Sequence, residues 1–304
     1  MCKLFIMTNT SELKKETIDK LIKASSKSMY STERDGFGFS IKGDKGVFNR
    51  RFLNPIDACL VPKTYKYKFL KQNMNQDGEL GTIDSLIMHG RTSTNVLGLI
   101  NTHPISKHGI SLCHNGVVED SGPDFDMISD NDTEFLVERL SEGIDSIEKH
   151  ITGYYAFAAY KDNQLIIVRD SIAPLYFTEL IEHSCHVFAT TRDLLKTVLK
   201  SAGLKHGPIS ELEDNIKLVY QGKDLISQDS ITPKGRSSYA DSMAEKSLGH
   251  SINSIDSMDS IVDYTDSDLD LGEERFLVEI ETNADHTWTF FKGRHSYTFH
   301  EFLN

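Results

Sequence analysis

The sequence predicts an α+β fold of stacked, largely antiparallel sheets with helices on the outside. Three observations carry that expectation. Strand-like runs come in series with few helices between them, the parallel strand–helix–strand rhythm is missing, and the first such run begins at Lys3, almost at the start of the chain. Lys3 to Met7 reads as a short strand. Ser11 then offers a helix N-cap, and Ile18, Leu21, Ile22 and Met29 fall on one helical face. Gly36 to Ile41 and Gly46 to Phe48 read as a strand pair turning at Gly43-Asp44. Further strands are expected at Ser85–Met88, Ile110–Cys113, Tyr154–Tyr160, Leu165–Val168, Leu175–Phe177 and His186–Ala189, with a hairpin turn at Asp162-Asn163. Helices are expected at Thr133–Leu140, with Phe135, Leu136 and Leu140 inward, and at Arg192–Lys200, with Leu194, Leu195, Val198 and Leu199 inward.

This regular pattern occupies residues 1 to about 226. Residues 227–274 differ: eleven serines lie between 227 and 267, and segment 241–274 sets ten acidic residues against one lysine, a net −9. Such sequence buries too little apolar surface to offset chain entropy, so it reads as a disordered linker. Ile252, Ile255, Met258 and Ile261 recur at every third position and leave open a weak stripe for docking a partner. From residue 275 to 304 β character returns, in Phe276–Ile280, Trp288–Phe291 and Ser296–Phe299, either as a small β unit or as strands that dock back on the main domain.

The chain of 304 residues has a formal net charge of −12, of which the 241–274 segment holds −9, leaving −3 for the remainder. Acidity argues against a nucleic-acid-coating protein, since phosphate contacts need clustered Lys and Arg. No apolar run is long enough for a membrane-spanning helix, and the start of the chain is too briefly apolar for a secretory signal. The expected compartment is therefore the cytoplasm. Its reducing conditions favour free thiols at Cys2, Cys59, Cys113 and Cys185, which form no C-x-x-C pair. His183-Ser184-Cys185-His186 has soft-ligand character but no second pair at ligand spacing, and reads as a turn into the strand at 187–189. No cofactor is expected.

Cys2 is the first residue with chemical weight. Removal of Met1 would place a thiol and a free α-amine on one residue. An α-amine titrates near 7.7–8.0 in roughly unperturbed surroundings, so part of it is neutral and can accept the thiol proton without a histidine. Four blocks follow in order: His89-Gly90-Arg91-Thr92-Ser93-Thr94-Asn95, Asn101-Thr102-His103-Pro104-Ile105, Cys113-His114-Asn115-Gly116-Val117-Val118-Glu119, and Ser129-Asp130-Asn131-Asp132-Thr133-Glu134. With Asp35-Gly36-Phe37-Gly38, these resemble class II glutamine amidotransferases, the N-terminal-nucleophile (Ntn) hydrolase type, in a small stand-alone form. The resemblance covers roughly residues 2–220.

The resemblance implies a four-layer αββα sandwich with Cys2 at the start of a central strand. It implies Cys2 as nucleophile, with the Asn115 side-chain amide and the Gly116 N–H stabilising the oxyanion. Glutamine is a zwitterion, and Arg91 and Asp132 match the positions that bind its carboxylate and ammonium, with Thr94 lining the site. Taken without the resemblance, Arg91 reads as a surface ion pair, Asp132 as a helix N-cap, and Asn115-Gly116 as a type I′ turn. His103 and His114 are assigned structural roles, because the α-amine can serve as base.

The chain departs from the family pattern in three places. It reads Cys2-Lys3-Leu4 where many members have Cys-Gly-Ile, Thr92 stands where several carry an aromatic, and Gly90 follows His89. No synthase module is recognisable after residue 226. The expected activity is hydrolysis of glutamine to glutamate and ammonia, with glutamine as ligand and a separate ammonia-accepting synthase or ligase as partner. Hydrolysis of another γ-glutamyl amide, or a non-catalytic Ntn-fold binding protein, are the alternatives.

Overall fold

A computed structural model describes residues 2–43, 46–53, 58, 83–92 and 98–234, together with the backbone of three strands between 276 and 300. Among them, β1 (Lys3–Thr8), β2 (Phe37–Gly43), β3 (Gly46–Phe52), β4 (Ile83–Gly90), β9 (Tyr176–Glu179), β10 (His186–Ala189) and β11 (Ser210–Glu211) form one sheet. A second sheet contains β5 (Ile105–Lys107), β6 (Ile110–Asp120), β7 (Ile151–Lys161), β8 (Gln164–Arg169), β12 (Ile216–Gln221) and β13 (Asp224–Ser230). The helices are α1 (Lys15–Tyr30), α2 (Thr133–Glu142), α3 (Ile144–His150) and α4 (Arg192–Ala202). In the first sheet the order is β11-β9-β10-β1-β4-β2-β3, and in the second β13-β12-β8-β7-β6-β5, with antiparallel neighbours. Strand β1 is thus central, paired with β10 on one side and β4 on the other.

Side-chain alternation along the strands builds the layers. Phe5, Met7 and Met88 face outward and pack with Leu21 and Met29 of α1 and Leu195 and Val198 of α4. Leu4, Ile6 and Ile87 face the other way and meet Cys113, Ala156, Ala158 and Ile167 of the second sheet. Leu112, Phe157, Ala159 and Val168 turn outward onto Leu136, Val137 and Leu140 of α2. Three apolar layers between four secondary-structure layers make the expected αββα sandwich.

Local chemistry explains most boundaries. Helix α4 starts where the Thr191 hydroxyl accepts the Leu194 N–H at 3.1 Å and stops at Gly203 in the left-handed conformation (φ 75°). Asp162 and Asn163 both take positive φ, 48° and 65°, as the turn between β7 and β8 requires. Ser11 does not cap α1. It lies in a 3-10 turn, Thr10–Glu12, and donates to Asn9 Oδ1 at 2.8 Å, while the helix begins four residues later without a side-chain cap. The Gly43-Asp44 turn extends beyond the described residues.

Strand β13 crosses residue 226 and is followed by Ile231, which is buried and donates its N–H to Asn215 O at 2.8 Å. Residues 235–275 lie outside the description, and with them most of the serine-rich segment. β14 (Phe276–Glu281), β15 (Thr287–Lys292) and β16 (His295–His300) form a three-stranded antiparallel sheet of their own. No described helix is long and apolar enough to cross a membrane.

Candidate active site

Cys2 immediately precedes β1. The register that pairs Lys3 with Gly90 and Leu4 with His89 brings it opposite the end of β4. Its Sγ accepts the Thr92 N–H at 3.4 Å and lies 3.5 Å from the Thr92 carbonyl oxygen. By alternation, Cys2 shares the inner face with Leu4 and Ile6, and Arg91 shares it with His89 and Ile87. Asn115 lies on β6 two residues after Cys113, whose side chain belongs to the same inter-sheet layer. Thiol, guanidinium and amide therefore occupy one end of the space between the sheets.

The Arg91 backbone is clamped by the Asp35-Gly36 segment. Arg91 N–H donates to Gly36 O at 2.8 Å and Asp35 N–H donates to Arg91 O at 3.1 Å. Two residues on, a Cβ at Gly38 would sit 2.0 Å from His103 O and 2.7 Å from Arg50 O. The glycine is required because the 101–104 turn rests directly on β2.

That turn is interlocked with the entry to α2. Asn131 Nδ2 donates to Asn101 O at 2.7 Å, Asp130 N–H donates to Asn101 Oδ1 at 3.0 Å, and Asn131 Oδ1 accepts the Thr133 N–H at 3.0 Å. Glu134 holds the preceding loop by accepting the Ile128 and Ser129 N–H groups, each at 2.9 Å, and the Ser129 hydroxyl at 2.7 Å. Burial pushes its carboxyl upward, but these bonds and Lys107 outweigh burial and leave it below the ordinary value.

Asp132 stands at the N-cap position of α2, yet its side chain makes no cap bond. Its Oδ2 instead accepts the Val118 N–H at 2.9 Å, tying the helix entry to β6. Nor do Asn115 and Gly116 form a hairpin turn: they lie inside the eleven-residue β6, paired with Ala156 and Tyr155. Gly116 has φ 149°, and a Cβ there would fall 2.0 Å from Tyr154 O, so no side chain is accommodated. Asn115 is 1% exposed, and neither its Nδ2 nor its Oδ1 has a hydrogen-bond partner among the described residues. Arg91 is buried too, not a surface ion pair. Thr94 lies outside the described residues.

Charge in the site is mixed. Burial lowers the Arg91 guanidinium from its ordinary value, and Cys2, Asp35 and Asp132 oppose that shift. Burial raises the Cys2 thiol, opposed by the Thr92 N–H and reinforced by Glu33 and Asp132.

Three buried histidines that motif reasoning treated as background form a network behind these groups. His103 Nδ1 and His89 Nδ1 are 3.0 Å apart, and His89 Nε2 reaches His114 O at 2.9 Å. His103 Nε2 and His114 Nδ1 converge on the Thr133 hydroxyl at 2.5 and 3.3 Å. Burial holds all three imidazoles below the ordinary value of 6.5, His89 at about 3, so they are neutral at pH 7. The signal for this network was present in the sequence as polar residues interrupting apolar strands.

Residues 113–197 match the glutamine amidotransferase domain family. The fold is shared with a glutamine phosphoribosylpyrophosphate amidotransferase from B. subtilis complexed with ADP and GMP, at 18% identity and a TM-score of 0.51, over 75% of this chain and 49% of that one. It is shared equally with a structure described as the allosteric regulatory enzyme of purine biosynthesis, at 16% identity and 0.53, again over 75% and 49%. What the chain shares with both is the fold. The chain spans about half the length of these two structures. No curated protein matches it in sequence. Within the amidotransferase match lie Asn115, Gly116 and Asp132; Cys2 and Arg91 come from the part of the fold that precedes it.

Proposed function

We propose that the protein is a glutamine amidohydrolase whose nucleophile is Cys2, exposed as the first residue by removal of Met1. The α-amine takes the thiol proton, and the thiolate attacks the side-chain carbonyl carbon of glutamine. The resulting oxyanion is held by the Asn115 amide and the Gly116 N–H. Collapse breaks the C–N bond, the amine returns a proton to the departing ammonia, and water then hydrolyses the γ-glutamyl thioester to glutamate. Arg91 binds the substrate carboxylate in bidentate fashion and Asp132 its ammonium.

The observation that carries the reading is Asn115. A buried amide with both ends unpaired among the described residues is costly in a folded protein and is explained by a group that arrives with the substrate. Ammonia would pass to a separate synthase or ligase in the cytoplasm. Another γ-glutamyl amide as substrate remains the second reading, because the same residues would recognise the shared γ-glutamyl group.

The test is glutamate release from glutamine and from other γ-glutamyl amides, with mass spectrometry of the amino terminus and of Cys2 labelled by a glutamine-analogue electrophile. Labelling confined to Cys2 in protein lacking Met1 supports the proposal. Retained Met1, an unlabelled Cys2, or full activity in Cys2→Ala would overturn it.

A further inference from the structure

One side chain bridges the two halves of the site across the space between the sheets. His89 shares the inner face of β4 with Arg91, two residues on, and its Nε2 lies 2.9 Å from the carbonyl oxygen of His114, in the peptide that leads into Asn115. That oxygen can only accept, so the proton sits on His89 Nε2. The other contacts then have one order open to them. A neutral imidazole carries a single N–H, so His89 Nδ1 is bare and accepts from an N–H on His103 Nδ1 at 3.0 Å. His103 Nε2 is bare in turn and accepts the Thr133 hydroxyl at 2.5 Å. With its proton so placed, the hydroxyl oxygen accepts from His114 Nδ1 at 3.3 Å. The order ends in a bare Nε2 on His114.

The surroundings of that last nitrogen agree with this order. A Cβ on Gly116 would stand 2.7 Å from His114 Nε2 and 2.0 Å from Tyr154 O, so nitrogen and carbonyl face one point. Yet His114 Nε2 makes no hydrogen bond with any described residue. A protonated Nε2 has a carbonyl to donate to, and a bare one does not. His89, His103, His114 and Thr133 are all buried, which shields these contacts from bulk water.

We propose that His89 is a positioning residue that fixes the distance between Arg91 and the oxyanion donors, Asn115 and Gly116. The inference deepens the glutaminase reading and rests on it. A γ-glutamyl amide carries its carboxylate and its reacting carbonyl at opposite ends of a short chain. Arg91, at the end of β4, belongs to one sheet, and Asn115 and Gly116 on β6 belong to the other. The His89 bond ties the two sheets beside both groups, and His103, by donating to Nδ1, keeps the His89 proton on Nε2. A substrate held at both ends senses a change in that spacing, and misplacement by about 1 Å can slow reaction on the order of 10²-fold.

The experiment uses the full-length protein. Nitrogen-15 NMR of labelled histidine, assigned through bonds, reads the wild-type tautomers without turnover. We expect Nε2–H on His89 and Nδ1–H on His103 and His114. Wild type, His89→Gln and His89→Leu are then compared in alkylation of Cys2, followed by mass spectrometry, with two reagents. A glutamine-analogue electrophile spans Arg91 and the thiol, whereas iodoacetamide reaches the thiol alone. His89→Leu should slow the analogue by about 10²-fold and leave the iodoacetamide rate unchanged. His89→Gln offers an amide N–H to His114 O and an oxygen to His103, and should restore most of the analogue rate.

An Nδ1–H on His89, an equal loss with both reagents, or a His89→Gln no faster than His89→Leu overturns the proposal. Should His89→Leu not fold, the tautomers and His89→Gln decide, and Nε2–H with a retained analogue rate is then required. A wild type labelled at Cys2 by iodoacetamide but not by the analogue overturns the glutaminase reading, and this inference with it. A wild type labelled by both, with the analogue rate unmoved in His89→Leu, overturns the positioning role alone.

Discussion

At the scale of single residues, Asn115 separates function from stability. Its amide is buried without partners among the described residues, so replacing it should remove little native hydrogen bonding. Asn115→Ala is expected to lower kcat by about 10²–10³-fold with little change in KM, while its unfolding temperature stays level or rises. A fall in stability with unchanged kcat would identify it as structural. Arg91 is tested by Arg91→Lys, which keeps the charge and loses the planar fork. Losing one charge-assisted bond should cost roughly 10–100-fold in kcat/KM, read in steady-state assays as a rise in KM.

At the scale of elements, the histidine network joins β4, the 101–104 turn, β6 and α2, the segments that carry Arg91, Asn115 and Asp132. Thr133→Val leaves two ring nitrogens without their hydroxyl partner and should cost about 1–3 kcal/mol for each, measured by chemical denaturation. The buried imidazoles also set a direction with pH. Their folded-state values lie below 6.5, so below that pH the unfolded chain binds protons that the native state refuses. Stability is therefore full above pH 6.5 and declines as pH falls, for His89 down to about 3. The slope should be roughly 1.4 kcal/mol per pH unit for each histidine involved. His103→Gln should flatten the slope of unfolding free energy between pH 6.5 and 5, and an unchanged slope would refute this account.

Elements with a clean apolar pattern were readable in the sequence. The β1 run from Lys3 to Met7 and the buried faces of α1 and α4 come directly from it. Strand β6 was read only to Cys113, because His114, Asn115 and Gly116 interrupt its apolar residues and imitate a turn. β13 is exposed along nearly its whole length and offers no alternation to read. The interlock of Asn101 with Asn131, and the ion pair of Lys3 with Glu33, join residues thirty apart in sequence. Only tertiary structure brings them together.

At the scale of the whole molecule, the buried apolar clusters described draw on residues up to Ile231. We predict that a chain ending at Lys234 unfolds in one cooperative transition at the same temperature as the full protein and retains the proposed glutamate release. Loss of either in calorimetry or assay would assign the terminal sheet a part in the domain. The central place of β1 has a practical corollary. A fusion tag before Met1 need not disturb the pairing of β1 with β4 and β10, so under the proposed mechanism the tagged protein would be folded and catalytically silent. Material for assays should carry its affinity handle at the other end, and an inactive preparation should be inspected for uncut residues before the enzyme is judged inert.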